Sequence, residues 1–304
     1  MIDQGTNSSR LLIADVDGDH LTEIERQTNV TRLGEGLEAS GRLSDAAIER
    51  VVQTVGGYRE LLDRHSADTV ACVATSAMRD AENGQELADI LRRRFQVDPR
   101  VISGDEEARL TFLGATHGRP PGDPTLVIDI GGGSTEYVVG RPGSEPFFHT
   151  STRMGSVRHT ERHPHSDPPT SAELAALADD VDHVIAGDIP PDTRAEVDRA
   201  IAVAGTATSL AGIDLRLDPY DPRRVHGHRL TRDACEQLRD MVASLPLAKR
   251  RQVTGLHPDR APTIVAGATI LVRSLHAFGL EEVEVSEADI LHGAALDAAG
   301  NALQ

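Results

Sequence analysis

The alternation of apolar and polar positions divides the chain into short strands and longer helices. Apolar, β-branched runs bounded by turn residues predict strands at 10–16, 23–30, 68–75, 98–103, 199–205 and 282–287, and a hairpin that begins at 125. Helical patterns predict helices at 44–64, 76–95 (interrupted at Gly84), 104–118, 171–187, 207–213, 231–244 and 261–278, and a last helix from 289. Strands that alternate with helices are typical of an α/β fold.

The segment VIDIGGGSTEYVV, residues 127–139, joins two strand-like runs through a loop of small residues. Its three glycines, 131–133, allow the backbone to approach a ligand closely or to adopt positive φ, and the N–H groups around Ser134 can point at an anion. Asp129 and Glu136 flank the loop, and carboxylates beside a phosphate need a divalent cation between them. On this segment alone, a tight glycine turn with two solvated acids is an equal alternative.

A second copy of the same pattern lies near the N-terminus. Residues 2–14, IDQGTNSSRLLIA, share Ile, Asp, Gly and Ser with IDIGGGSTEYVVG at 128–140, each pair 126 positions apart. Both copies then enter an apolar strand. Two strand–loop–strand units half a chain apart predict two similar lobes with a polyphosphate between them.

Charge and composition restrict the partners of this protein. The chain has 304 residues, enough for two domains, with 39% hydrophobic and 26% charged residues, as in soluble globular proteins. A net charge of −17 and a single lysine, Lys249, argue against nucleic acid or an anionic membrane surface as a partner. Phosphate binding must therefore depend on backbone N–H groups, a few arginines and bound cations.

Two further patterns bear on the location and redox state of the chain. The longest apolar stretch, at 263–272, is too short to span a bilayer, and the N-terminus shows no secretory signal pattern, so the expected location is cytoplasmic. Cys72 and Cys235 form no disulfide or metal-binding motif, and Cys72 is expected to be a buried free thiol.

Six segments in order resemble the exopolyphosphatase/guanosine pentaphosphate phosphohydrolase (Ppx/GppA) family. They are the loop pair and the segments ATSAMRDAENG (74–84), VISGDEEARLTFLGA (101–115), VAGTATSLA (203–211), VHGHRLT (225–231) and GLHPDRAPTIVAGA (255–268). The resemblance covers nearly the whole chain. It departs from the family where only two residues precede Asp3, and it matches the short two-lobe form that lacks a C-terminal helical domain.

The resemblance implies a fold and its division into lobes. The expected fold is α/β, with two ribonuclease-H-like lobes of the actin/sugar kinase/Hsp70 superfamily around an interlobe cleft. The expected N-terminal lobe is 1–123, completed by the C-terminal helix 289–304, and the C-terminal lobe is 124–288.

The resemblance also implies the residues of the site. Glu107 is the expected catalytic residue, which orients or deprotonates the attacking water, and Asp129, Glu136 and Asp3 are expected to hold Mg²⁺ or Mn²⁺. The expected phosphate-binding residues are Gly5, Thr6, Asn7, Ser8, Arg79, Gly131, Gly132, Gly133 and Ser134. Weaker candidates that line the cleft are Arg32, Asn83, Gly205 and Thr206.

Several of these residues have ordinary structural alternatives. Glu107 could be an exposed acid that is favourable at a helix N-terminus, as expected for its neighbours Asp105 and Glu106. Arg79 could form a helix-surface ion pair of little energetic value, and Thr206 could cap a helix.

The expected function is hydrolysis of the terminal phosphate of inorganic polyphosphate. The alternatives are removal of the 5′ phosphate of guanosine pentaphosphate (pppGpp) and non-hydrolytic nucleotide binding by a regulator. A sugar kinase of the same fold is disfavoured because no acceptor-binding acid or sugar-binding insertions are recognised. An Hsp70-like chaperone is disfavoured because no room for a peptide-binding domain is expected. The expected partner is polyphosphate or pppGpp, and the pattern leaves a homodimer open.

Overall fold

The computed structural model describes residues 1–163 and 166–302, which form two α/β lobes that face each other. The first half contains β1 (Ile2–Gln4), β2 (Ser8–Asp17), β3 (His20–Val30), α1 (Leu37–Ser40), α2 (Asp45–Arg64), β4 (Cys72–Ala74), α3 (Ser76–Asp80), α4 (Gly84–Phe95), β5 (Pro99–Val101) and α5 (Gly104–Thr116). The second half contains β6 (Thr125–Ile130), β7 (Thr135–Gly140), β8 (Phe148–Thr152), α6 (Ser156–Arg162), α7 (Ser171–Asp188), α8 (Pro191–Ala195), β9 (Ala200–Val203), α9 (Ala204–Asp214), α10 (Pro222–Val225), β10 (Arg229–Thr231), α11 (Arg232–Ser244), α12 (Leu247–Arg250), α13 (Ile264–Ala277), β11 (Glu282–Val285) and α14 (Ile290–Ala302).

Each lobe is built on one sheet, and the two sheets share the same strand order. The first sheet has the order β3-β2-β1-β4-β5, in which β1, β2 and β3 are antiparallel neighbours and β4 and β5 run parallel to β1. The second has the order β8-β7-β6-β9-β11 with the same directions, and β10 is added antiparallel to β11 at the edge. This repeated order is ribonuclease-H-like, so the predicted two-lobe, actin-like fold is confirmed.

The two strand–loop–strand units, at residues 2–14 and 128–140, occupy equivalent positions in these sheets. Asp3 on β1 pairs with Arg10 on β2, and Asp129 on β6 pairs with Glu136 on β7. Each hairpin therefore places an aspartate just before its loop, at the carboxyl end of the central strand. That edge of an α/β sheet is where ligands commonly bind.

The structure also shows where the local pattern was insufficient. The strand before the first loop, which the repeated strand–loop–strand unit predicts, is β1 and has only three residues. The pattern does not predict β8, whose sequence FHTST is polar and partly exposed. The strand expected at 68–75 is shorter and covers only β4. The interruption expected at Gly84 lies just before it, at residues 81–83 between α3 and α4. Gly84 begins α4 at a position where a Cβ would lie 2.3 Å from the carbonyl oxygen of Met78.

Both lobes bury an apolar core on their own sheet, and the last helix joins the first half of the chain. Ile290 and Leu291 of α14 pack with Met1 and Leu12, and α14 lies against α5 and β2. The lobe boundaries given above stay a prediction. Residues 303 and 304 of the expected helix 289–304 lie outside the described residues.

Neither a membrane span nor a disulfide is found in the part of the chain that the structure describes. Its helices are too short or too polar to cross a bilayer. Cys72 and Cys235 are both buried free thiols, as expected for Cys72, and burial raises the pKa of Cys235 to about 12.

The crossing of α5 and α14 depends on two glycines. A Cβ at Gly293 would lie 1.8 Å from the carbonyl oxygen of Leu110, and a Cβ at Gly114 would lie 1.9 Å from that of Asp289. Gly293→Ala is therefore expected to lower the free energy of unfolding by about 1–3 kcal/mol, because the helix backbones must separate. Urea denaturation should compare it with Gly300→Ala on the same helix, where a Cβ contacts nothing. Equal effects at the two positions would contradict the prediction that the close crossing of α5 and α14 requires glycine at 293.

Candidate active site

The loops of the two strand–loop–strand units meet in one small cavity. Loop 5–8 and loop 131–134 line a cavity of about 80 Å³ from opposite lobes, and Glu107 is part of its wall. The expected residues in this wall are Asp3, Gly5, Thr6, Asn7, Ser8, Glu107, Asp129, Gly131, Gly132, Gly133, Ser134, Gly205 and Thr206. Arg10, Thr75, Ser156, Ala204, Arg260, Ile130 and Ile290 also line it and were not expected.

The glycines of loop 131–134 are required by the opposite lobe. A Cβ at Gly133 would lie 2.4 Å from Ser76 Oγ and 2.8 Å from Thr6 Oγ1, and a Cβ at Gly132 would lie 3.1 Å from the backbone nitrogen of Asn7. None of the loop's three glycines has positive φ. Of the two reasons for glycine considered from the sequence, close approach therefore applies here and left-handed backbone does not.

The start of α6 binds the carbonyl groups of this loop. The Ser156 amide donates to Gly131 O at 2.9 Å, the Arg158 amide donates to Gly132 O at 3.0 Å, and Arg158 Nε donates to Gly133 O at 2.7 Å. Within the described residues, the amides at 132–134 donate to no protein oxygen. The loop therefore uses its carbonyls for attachment and keeps N–H groups for an anionic ligand.

Glu107 is buried beside the loops, which rules out the alternative of an exposed helix-end acid. Ser103 caps α5 by accepting from the Glu106 amide at 3.1 Å, and Glu107 is only 7% exposed. Arg79 Nη1 donates to Glu107 Oε2 at 3.1 Å and to the carbonyl of Ile102 at 2.8 Å. Burial raises the pKa of Glu107 to about 8, against the lowering effect of Arg79 and with a further raising effect of Asp129.

Asp129 and Glu136 form the acidic floor of the second lobe. Thr111 Oγ1 donates to Asp129 Oδ2 at 3.3 Å, and burial followed by the charge of Asp289 raises the pKa of Asp129 to about 7. Ser151 Oγ donates to Glu136 Oε1 at 2.7 Å. Burial, with the charges of Glu107 and Asp129, raises the pKa of Glu136 well above its ordinary value. Glu136 is the direct cross-strand partner of Asp129 on β7 and does not line the cavity itself.

The first lobe differs from the second at the equivalent position, where Arg10 replaces a glutamate. Arg10 Nε and Nη2 donate to Asp3 Oδ2 at 2.8 and 2.6 Å, and its Nη1 pairs with Asp289. Burial acts to raise the pKa of Asp289, but Arg10 and Arg26 outweigh it and hold this pKa below its ordinary value. The sequence already showed this replacement of a glutamate by an arginine, because Arg10 lies 126 positions before Glu136 in the aligned repeats.

Arg260 is a second arginine that the pattern did not single out. It is packed so closely over the start of α9 that a Cβ at Gly205 would lie 1.4 Å from Arg260 Nη1. Helix α13 packs closely against Thr206, since a Cβ at Gly267 would lie 2.4 Å from Thr206 Oγ1. Gly205 therefore gives Arg260 its place in the cavity wall.

Four expected residues lie outside this wall among the described residues. Glu136 is paired with Asp129 on the neighbouring strand. Arg79 reaches the site through Glu107. Arg32 is partly exposed and donates to Asp259 Oδ1 at 2.9 Å. Asn83 accepts from the Leu43 amide at 2.8 Å and donates to the Leu43 carbonyl at 3.0 Å, so its amide is used in the fold of the first lobe. Arg32 and Asn83 do not line this cavity, and that they line the wider cleft stays a prediction.

The carboxylates in and beside the cavity fit a divalent cation. Asp3 Oδ1 and Glu136 Oε2 are buried and have no hydrogen-bond donor in the described part of the chain. A buried carboxylate oxygen without a donor is costly, and a cation satisfies it. Among the described residues, no three Asp, Glu, His or Cys side chains are already placed so that they could hold a metal ion together. Mg²⁺ commonly uses one or two carboxylates and takes its other ligands from water and phosphate.

The chain is similar to known proteins over nearly its whole length. The model of the Ppx/GppA phosphatase family matches residues 12–302. Exopolyphosphatase 2 of Mycobacterium tuberculosis is 37% identical over 317 residues, which cover 98% of each chain. The crystal structure of an exopolyphosphatase-like protein has a TM-score of 0.93 at 36% identity and covers 100% of this chain and 98% of that chain. A Ppx/GppA family member from Aquifex aeolicus has a TM-score of 0.83 at 29% identity, with coverage of 100% and 97%.

Burial of Glu107 predicts a pH-dependent stability. The folded pKa of Glu107, about 8, is above its unfolded value. The protonated side chain is therefore fully tolerated below the unfolded pKa, and the free energy of unfolding falls as the pH rises from there through about 8. Glu107→Gln has no charge to bury, so its free energy of unfolding is expected to exceed that of the wild type by about 1–2 kcal/mol near pH 8.5 and to match it near pH 4.5. Urea denaturation in a metal-free buffer measures this difference.

Asp105→Asn is the matched control for this comparison. It removes the same charge from the same helical turn, at a side chain that is 78% exposed. Its stability difference from the wild type is expected to change little with pH. A difference between Glu107→Gln and wild type that is constant across the pH range would contradict the buried-carboxyl explanation.

Proposed function

The chain belongs to the Ppx/GppA phosphatase family, and on that basis we propose that it is an exopolyphosphatase, which removes the terminal phosphate of inorganic polyphosphate. The family and the relatives named exopolyphosphatase indicate a phosphoanhydride hydrolase. The observation that carries the proposal is the placement of Glu107 in the cavity where loops 5–8 and 131–134 meet.

The end of the polyphosphate chain binds between the two loops. Main-chain amides of loop 131–134 and the polar groups of Thr6 and Asn7 contact its oxygens from opposite lobes. Arg10 and Arg260 supply positive charge within the same wall. Exterior acids more than about 8 Å away are largely screened in physiological salt, so the net charge of −17 does not prevent binding.

Hydrolysis follows from the position of Glu107. Its carboxylate orients a water molecule and accepts a proton as the water oxygen bonds to the terminal phosphorus. The bond from phosphorus to the bridging oxygen breaks, so the shortened chain leaves with that oxygen and orthophosphate remains. Arg79 holds the carboxylate in place and favours its charged form. A pKa near the working pH suits a group that takes and returns a proton.

A divalent cation completes this site. The carboxylate of Asp129 and the free oxygen of Asp3 would hold Mg²⁺ or Mn²⁺ directly, and Glu136, which lies outside the cavity wall, would hold it through water. Asp3 offers Oδ1 alone, because its Oδ2 accepts two hydrogen bonds from Arg10. When bound, the ion supplies positive charge to the phosphate oxygens and makes the phosphorus more electrophilic.

A second cavity favours pppGpp as an alternative substrate. It has a volume of about 550 Å³, shares Arg10, Gly205 and Arg260 with the catalytic cavity, and includes apolar and hydroxyl side chains such as Leu256 and Thr208. Ligand sites for small molecules commonly have volumes of about 300–1,000 Å³ and such mixed walls. A nucleoside could occupy this cavity while its 5′ phosphates reach Glu107.

Substitution of Glu107 tests the proposed chemistry. Phosphate release should be measured from tripolyphosphate, long polyphosphate and pppGpp, with Mg²⁺ and with a chelator. Glu107→Gln is expected to lower kcat on every substrate by about 10²–10⁴-fold, because it removes the proton acceptor. Asp105→Asn serves as the control and should retain wild-type turnover. Near-wild-type activity of Glu107→Gln would contradict the role of this residue, and inactivity of the wild type on all three substrates would contradict the function.

Filling the second cavity separates the two candidate substrates. Thr208→Phe is expected to lower kcat/KM for pppGpp by more than about tenfold, because the aromatic ring occupies the space for a nucleoside. Turnover of tripolyphosphate, which is too short to need this cavity, should stay within about threefold of wild type. Equal losses on both substrates would show that the cavity does not distinguish them.

A further inference from the structure

Arg158 connects loop 131–134 to the opposite lobe. Its side chain is 7% exposed, and its Nε donates to the carbonyl oxygen of Gly133 at 2.7 Å. Its Nη2 donates to Asp80 Oδ2 at 2.6 Å, and its Nη1 pairs with Glu38. Glu38 and Asp80 belong to α1 and α3 of the first half of the chain. One buried guanidinium therefore contacts the phosphate loop and two acids across the cleft.

We propose that Arg158 is a positioning residue for the reaction, which orients the peptide between Gly133 and Ser134 when the two lobes are closed. This proposal rests on the proposed role of loop 131–134 in binding phosphate. The peptide is planar and trans, so its N–H points opposite to its C=O. Since Arg158 holds the Gly133 carbonyl, it also sets the direction of the Ser134 amide, which belongs to the cavity wall.

The other carbonyls of the loop are held in a different way. Gly131 O and Gly132 O accept from backbone amides of α6, which belongs to the same lobe as the loop. In the described part of the chain, the Gly133 carbonyl is the one whose donor side chain also bonds to the opposite lobe. Its orientation is therefore the one that depends on lobe closure.

The planar guanidinium is suited to this task. Its N–H groups form a rigid fork, so three acceptors in different directions determine both its position and its tilt. A lysine ammonium at the same place could pair with Glu38 or Asp80, but it lacks the fixed geometry to serve Gly133 at the same time. Arg158→Lys should therefore keep the lobes together and lose part of the loop orientation.

Arg162 provides a matched control on the same helix. Its Nη2 donates to Glu38 Oε1 at 2.9 Å, so it also bridges the lobes, but it has no hydrogen bond to the loop within the described residues. If lobe closure alone were important, loss of either arginine would have a similar effect. If the Gly133 peptide is important, only Arg158 should affect catalysis strongly.

The kinetic test uses tripolyphosphate with the whole protein. Arg158→Met is expected to lower kcat by about 100-fold, the size of effect that a misplaced binding group causes, while Arg162→Met stays within about threefold of wild type. Arg158→Lys should fall between them, and it keeps the test available if the methionine variant fails to fold. Equal kinetics of the Arg158 and Arg162 variants, or full activity of Arg158→Met, would overturn the proposal.

A spectroscopic test does not require turnover. In the Glu107→Gln background, the Ser134 amide is expected to show a change in its ¹H–¹⁵N NMR shift when tripolyphosphate binds. The change should persist with Arg162→Met and disappear with Arg158→Met. A Ser134 response unaffected by Arg158→Met would overturn the positioning role. A wild-type protein that binds tripolyphosphate without hydrolysing it would contradict the proposed function, yet the amide response would still test Arg158.

Discussion

The structure depends on bringing acidic side chains and phosphate-binding amides from two lobes into one buried space. Carboxylates such as Glu107 and Asp129 would repel one another and the substrate there, and burial raises the pKa of both. Guanidinium groups placed within hydrogen-bond distance, including Arg79 and Arg10, offset part of that charge. The acids that remain uncompensated favour a bound cation, and the cation together with the arginines would make a polyanion a favourable ligand.

The duplication that creates the two loops has not kept their chemistry identical. The second hairpin pairs Asp129 with Glu136, which concentrates negative charge for a cation. The first pairs Asp3 with Arg10, which neutralises one oxygen of the aspartate and presents positive charge to the cavity. In the proposed function, two copies of one strand–loop–strand unit would therefore divide the binding of a metal–phosphate ligand between them.

Residues remote from the chemistry hold this geometry in place. The close crossing of α5 and α14 positions Glu107 at one end of α5 and delivers Asp289 to Arg10 at the start of α14. Arg158 performs a comparable task for loop 131–134 from the other side of the cleft. The contacts of Arg158 with Glu38 and Asp80 join the two lobes, so the geometry of loop 131–134 should be coupled to the arrangement of the lobes.

The sequence alone determined the long helices, the repeated strand–loop–strand units and Asp129 as a candidate, because these depend on local periodicity and on residues adjacent in the chain. Glu107 was identified only through the resemblance to the Ppx/GppA family. Only the tertiary structure decided that Arg10 joins Asp3 to Asp289, that Asn83 is used by the Leu43 backbone, and that Arg260 belongs to the site. The physical reason is that a side chain's role is set by its partners, and these partners lie far away in sequence. No local pattern specifies which distant atom will meet a given guanidinium or amide.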